Sequence, residues 1–176
     1  YEPSSRSPFA ASGPDLQREL NSILATAPDD QWLVFVHSKA HGRMAVEVSK
    51  ELWPAKVAFH NADLDKESRK KVEAEFKSGE IRCLVATSTL AYGLNLPARR
   101  VVIFGLRRGF NPVDPLDVIQ ECGRAGRPRY DTAGDAYVIL EKNQLREGWD
   151  RLVTAGVAVK SKLQDKLGFH LIGEIA

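Results

Sequence analysis

Between Gln120 and Asp131 the chain reads Gln-Glu-Cys-Gly-Arg-Ala-Gly-Arg-Pro-Arg-Tyr-Asp. Arg124 and Arg127 stand three apart, each preceded by glycine, with Pro128 after the second. Glycine lets a backbone approach a partner closely. A guanidinium presents a rigid fork of donors matched to phosphate oxygens. The chemistry such a run supports is neutralisation of charge on a phosphate, in binding or in phosphoryl transfer. A single Gly-Arg pair is usually no more than a solvated basic turn; the whole run carries more information than that. Upstream, Asp114-Pro115 sets an acid at the N-cap and proline at the first helical position. This predicts a short helix, Pro115 to Cys122, that delivers both arginines into a tight turn.

The elements that must position this run alternate in type. Trp32 to Val36 is a short, continuous apolar stretch, which suits a strand buried on both faces. His37-Ser38-Lys39 turns into a helix with Met44, Val48 and Leu52 on one side, closed at Pro54. Val57 to Phe59 is a second strand. Asp65 caps a charged helix to Ser78, whose apolar contact is Val72 and Phe76 and which stops at Gly79. Ile81 to Ala86, Val101 to Phe104 and Ala136 to Leu140 are further strands. Ahead of all these, Asp15 opens a helix with the stripe Leu16, Leu20, Ile23, Leu24 and Ala27. Strands alternating with helices predict an α/β fold on a parallel sheet flanked by helices. Tyr1 to Pro14 holds three prolines and four serines, a linker composition. Beyond Leu140 the pattern is helical. Ser161 to Gln164 fits a capping box, and Leu163, Leu167, Leu171 and Ile175 repeat every four residues, interrupted by Gly168 and Gly173.

With 176 residues the chain is long enough for one domain with a real core. Its net charge of +2 gives no bulk field to hold nucleic acid. Such binding would be local, at Arg99-Arg100, Arg107-Arg108 and Arg124 to Arg129. The two cysteines, Cys83 in an apolar strand and Cys122 in a helix, lack metal-ligand spacing and read as buried thiols of an intracellular protein. No metal site is assigned. No apolar run reaches membrane-spanning length, so no membrane partner is expected.

A second block, Ala86-Thr-Ser-Thr-Leu-Ala-Tyr-Gly-Leu-Asn-Leu-Pro-Ala98, precedes the arginine run. Together the two resemble motifs V and VI of superfamily-two helicases, the latter written Gln-x-x-Gly-Arg-x-Gly-Arg. Ala125, Pro128, Tyr130-Asp131 and Gly134 are similar to the superkiller-type (Ski-two-like) branch. The resemblance runs from about Trp32 to Leu140. It implies a RecA-like second motor domain over residues 15–145, preceded by a linker, 1–14, from a first RecA-like domain. Residues 146–176 would form a helical extension leading into a winged-helix domain.

The resemblance also implies roles. Arg127 is the expected arginine finger, Arg124 the second phosphate-facing arginine, and Gln120 an aid in positioning the γ-phosphate and its water. Gly93 and Asn95 would lie near the nucleotide. Thr87, at a strand's carboxyl end where open α/β sheets bind ligands, would contact a nucleic-acid phosphate. Val34 to Lys39 resembles motif IV, placing Ser38 beside the strand, with His37 as a structural turn residue. His60-Asn61-Ala62 resembles the start of the next motif, with His60 a candidate contact. Relatives carry glycine where Asp63 stands, and its charge would face any phosphate track.

No Gly-x-x-x-x-Gly-Lys-Ser/Thr phosphate loop and no Asp-Glu magnesium motif occurs in the sequence. ATP and Mg²⁺ are therefore expected to bind mainly on the first RecA-like domain, and this chain alone is expected to be inactive. The partners expected are single-stranded or partly duplex DNA or RNA, that first domain and the winged-helix domain. A scaffold that binds nucleic acid or protein without catalysis is the alternative, and it has no need of Arg124 and Arg127. Some repair-type relatives insert a duplex-splitting hairpin between the last two motifs. Here Gly109, Pro112 and Pro115 leave room only for a short one.

Overall fold

The structure, a computed structural model, describes residues 13–87, 96–127, 130–140 and 150. Five parallel strands form one sheet: β1 (Trp32–Val36), β2 (Val57–His60), β3 (Cys83–Thr87), β4 (Arg100–Phe104) and β7 (Asp135–Ile139), in the order β2-β3-β1-β4-β7. Among the described residues the helices that position the site are α1 (Gly13–Ala25), α2 (Lys39–Leu52), α3 (Lys66–Ser78) and α4 (Pro115–Cys122). A short antiparallel pair, β5 (Arg107–Arg108) and β6 (Asn111–Pro112), stands between β4 and α4. The expected α/β architecture is the one observed. The extension, residues 146–176, lies outside the described residues apart from Asp150.

Alternation along β1 explains why its whole run is apolar. Trp32, Val34 and Val36 join a core with Leu16, Leu20 and Leu24 of α1 and Ala45 and Val48 of α2. Leu33 and Phe35 enter a second core with Phe76 of α3 and Val118 of α4. Side chains alternate across a strand, so a strand with helices on both faces has no polar side to show. Both edges of β1 are also paired, to β3 and to β4, in continuous register from Trp32↔Cys83 and Trp32↔Arg100.

The helix ends follow local chemistry. Ser38 caps α2 by accepting from His41 N–H at 3.1 Å. Asp65 caps α3 through two backbone N–H groups, and Gly79 ends it with φ of 85°. Asp114 caps α4 ahead of Pro115 at the first turn, as the sequence predicts. The helix α1 begins at Gly13, so Asp15 lies in its first turn instead of at its cap. Both cysteines are free; Cys83 is buried and Cys122 half-buried.

Trp32 ties the layers together. Its indole N–H donates to the Ala27 carbonyl at 3.0 Å, and its ring sits 5.7 Å from that of Tyr137 on β7. Trp32→Ala should lower the chain's unfolding free energy by about 3–5 kcal/mol in a denaturant titration. Phe110, 97% exposed at the β5–β6 turn, is the control. Its alanine variant should stay within about 0.5 kcal/mol of wild type. Equal effects at the two positions would contradict the core described.

Candidate functional site

Two groups of candidate residues lie at opposite ends of the sheet. At the carboxyl end sit Ser38, two residues past β1, His60 at the end of β2, and Thr87 at the end of β3. At the amino end lies the turn that bears Arg124 and Arg127. Helix α4 starts near the carboxyl end, where Val113 N–H donates to the Leu106 carbonyl, and runs back along β4. After it, Ala98 N–H donates to the Arg124 carbonyl at 3.1 Å and Gly126 N–H donates to the Ala98 carbonyl at 2.7 Å, just ahead of β4. A five-residue strand at about 3.3 Å per residue separates the two groups by roughly 16 Å.

The arginine turn is clamped from both sides. Ala98 bridges Ala125 on one side. On the other, Gly134 packs so closely that a Cβ there would stand 2.2 Å from the Ala125 carbonyl carbon and 2.3 Å from the Gly126 nitrogen. Those are backbone atoms, with no rotamer to give way. Gly126 itself has φ of 90°, a left-handed conformation that glycine adopts without strain.

Within this turn Arg127 meets Asp131. Arg127 Nε donates to Oδ2 at 2.9 Å, Nη2 to Oδ1 at 3.0 Å, and the Arg127 backbone N–H to Oδ2 at 2.8 Å. Nη1 points to Gln31 Oε1 at 3.4 Å. The Asp131 side chain is 7% exposed, that of Arg127 37%. The paired guanidinium holds the Asp131 carboxyl below the ordinary aspartate range, and the same hydrogen bonds raise Arg127 further. Gln120 is exposed on α4, and Arg124 is half-buried. Arg99 and Arg100, read from sequence as a local basic cluster, are paired with Asp135 and Asp30.

At the carboxyl end Thr87 is half-buried, and its hydroxyl is covered without a hydrogen-bond partner. The Ser38 hydroxyl accepts as the α2 cap. His60 is fully buried with Nε2 at 3.1 Å from Glu73 Oε1, so its imidazole faces α3 and not the surface. Lys39 Nζ pairs with Asp63 Oδ1 at 2.7 Å, with side chains 51% and 67% exposed. Asp63 is seated by the Asn61 side chain, which accepts its backbone N–H at 2.8 Å. Gly93 and Asn95 lie outside the described residues. Among the described residues no cluster of three or more His, Cys, Asp or Glu could hold a metal ion. No described helix is long and apolar enough to cross a membrane.

Three of these features are not among the candidates the sequence offers. Asp131 stands in the run the sequence singles out, but outside a helix its spacing from Arg127 carries no pairing signal of its own. Gln31 carries no periodic or motif signal. The Lys39–Asp63 pair joins the start of α2 to the loop after β2, which meet only in the folded chain.

Residues 15–129 match the family described as Helicase conserved C-terminal domain. The chain is 39% identical over 133 residues to the DExH-box ATP-dependent RNA helicase DExH13 of Arabidopsis thaliana, covering 72% of this chain and 6% of that protein. It is 39% identical over 122 residues to the ATP-dependent DNA helicase MER3 of Saccharomyces cerevisiae, covering 67% and 10%. It is 37% identical over 133 residues to the activating signal cointegrator 1 complex subunit 3 of Bos taurus, covering 72% and 6%. The chain thus spans a small fraction of the length of the curated relatives it matches. Among solved structures, the C-terminal domain of the DEAD-box protein Dbp5 superposes with a TM-score of 0.70, covering 86% of this chain and 83% of that one, at 19% identity. That likeness is one of fold.

One further group on α4 is out of keeping with its burial. Glu121 is 2% exposed, and neither carboxyl oxygen has a hydrogen-bond partner. Burial, followed by the charge of Asp117, pushes its pKa up to about 8. It is therefore mostly a neutral acid at pH 7. A folded pKa above the unfolded one favours the fold fully below about 4.5, and this contribution is lost as pH rises towards 8. Wild-type stability should fall in this window by up to about 1.4 kcal/mol per pH unit relative to Glu121→Gln. Denaturant titrations of both proteins between these limits would show the difference growing with pH. A constant difference would mean that Glu121 is ionised in the fold.

Proposed function

The chain belongs to the helicase conserved C-terminal domain family, in its superkiller-type DExH-box branch, and from that premise we propose that it is the second RecA-like motor domain of a longer ATP-dependent nucleic-acid helicase. The observation that carries this reading is the clamped arginine turn at the end of α4. It presents Arg127, with Arg124 beside it, from a rigid backbone at one end of the sheet. ATP, bound chiefly by a first RecA-like domain with Mg²⁺, would supply the phosphoryl group. Arg127 and Arg124 would neutralise charge that develops on that group, with Gln120 holding the attacking water. Arg127 has Nη hydrogens left over from Asp131 and Gln31, which fits an anionic ligand at its tip.

The opposite end of the sheet takes one strand of DNA or RNA. Ser38, Thr87 and the turn behind His60 line that track, and Lys39 supplies its positive charge. Residues 1–14 link to the first RecA-like domain, 15–145 form this one, and 146–176 lead into a winged-helix domain. The protein works inside the cell, away from membranes. Two sites on one rigid sheet let nucleotide state and strand grip be read by the same body.

In the complete helicase, Arg127→Ala should cut ATP turnover by about 10³ to 10⁵, with ATP affinity much less affected. Lysine should rescue poorly, since it keeps the charge and loses the fork. Near-normal turnover in the alanine variant would remove Arg127 from the finger role.

The strand track has its own test. Asp63→Asn releases Lys39 from its ion pair. Single-strand affinity should then rise at low salt, and the slope of log K against log salt should steepen by about 0.7, the value of one freed phosphate contact. The gain should be alike for unrelated sequences, because phosphate contacts carry no base information. Titrations with an unchanged slope would place the track elsewhere.

A further inference from the structure

We propose that Asp131 and Gln31 are positioning residues for Arg127, holding its guanidinium by one edge so that its tip is aimed at the phosphate before ATP arrives. The proposal rests on reading Arg127 as the finger. Four features of the geometry support it.

First, the carboxylate grips the side edge of the fork. Nε and Nη2 are both taken, in the bidentate arrangement that fixes the guanidinium plane as well as its place. Second, the grip is built by the backbone. Tyr130 and Asp131 N–H groups both donate to the Arg127 carbonyl, at 3.1 and 3.0 Å. Asp131 in turn accepts from the arginine's own N–H and from its guanidinium. Third, the acid is shielded while the arginine is not. At 7% exposed, the Asp131 side chain has little water to exchange with, whereas Arg127 keeps 37% of its side chain open.

The fourth feature is Gln31, which sets the other limit. It is buried just ahead of β1, and its amide nitrogen donates to the carbonyls of Phe76 and, at 3.1 Å, Ile81. Those two bonds fix which way the amide faces, so its oxygen must point to Arg127 Nη1. The Gln31 carbonyl in turn accepts from Arg100 N–H at 3.1 Å, at the start of β4. The finger is thereby referred to the central strand β1 and its neighbour β4. A long, flexible side chain that has to find its place after ATP binds would lose the benefit of pre-orientation.

If Asp131 served only to close the turn, its loss would harm the fold whatever residue stood at 127. The two roles separate in a double-mutant cycle on the complete helicase, by single-turnover ATP hydrolysis with saturating strand. Asp131→Asn keeps the shape and removes the second acceptor. Its kcat should fall about 10- to 100-fold, with KM for ATP within about threefold of wild type. Placed on Arg127→Ala, the same change should cost less than about twofold, because there is no longer a finger to aim.

Failure of the finger reading shows as near-normal turnover in Arg127→Ala alone. Failure of the present inference is different: Arg127→Ala is inactive, yet Asp131→Asn keeps or raises kcat, or lowers the residual activity of Arg127→Ala by its full factor. A direct measurement covers the case in which the variant helicase is hard to prepare. In the 176-residue chain labelled with nitrogen-15 arginine and tryptophan, the Arg127 Nε–H signal should be protected from solvent exchange. Asp131→Asn should abolish that protection while the Trp32 indole signal persists. Retained protection in the variant would overturn the assignment.

Discussion

Burial of β1 on both faces is the constraint from which the rest follows. Trp32 to Val36 are paired on both edges and packed on both sides, so this strand has no freedom of register or tilt. A one-residue slip would drive Trp32, Val34 and Val36 into the face shaped for Leu33 and Phe35. The residues proposed for the two sites are placed by their relation to that strand. Ser38 and Lys39 lie just past its carboxyl end; Gln31 lies just before its amino end and touches Arg127. The sheet is a ruler between two sites, and its rigidity is that of a close-packed interior.

Helix α4 is the other element that spans the distance. Its first residue follows Asp114 at one end of the sheet and its last leads into the arginine turn at the other. One face is buried through Val118 and Glu121, while Leu116, Ile119 and Gln120 remain open. Asp117 takes Arg108 of β5 at 3.9 Å, so the helix also touches the short hairpin. Arg108 offsets only part of the charge an ionised Glu121 would carry, and neither carboxyl oxygen has a hydrogen-bond partner among the described residues.

Much of the fold was legible from sequence because its signals are local. The apolar run at β1, the Asp65 and Asp114 caps, and Gly79 as a stop each act within a few residues, and each appears where expected. The arginine turn was legible as a pattern of types. Its orientation was not, because that depends on Ala98, Gly134 and Gln31, which lie outside the run itself. His60 shows the same limit from the other side. Its motif position suggests a surface contact, and the ring instead turns inwards to Glu73 on the neighbouring helix. A strand-end residue has two faces to choose from, and only the packed α3 decides between them.

Charge is distributed on the same principle. The net value of +2 conceals a pattern in which key cations already have internal partners: Lys39 with Asp63, Arg99 and Arg100 with Asp135 and Asp30, Arg127 with Asp131. These pairs differ in what they can give up. Arg100 is held by Asp30 at 2.6 Å and lies over the Trp32 ring, which makes it part of the fold. Lys39 and Asp63 are both well exposed, where an ion pair is worth at most about 1 kcal/mol and is readily exchanged for a phosphate. Arg127 stands between these cases, with one edge of its fork fixed and its tip open. A motor domain on this plan would bind through exchangeable pairs at one end of the sheet. At the other end it would do chemistry through a pair that is kept. The difference is set by burial of the acid, from the exposed Asp63 to the nearly covered Asp131.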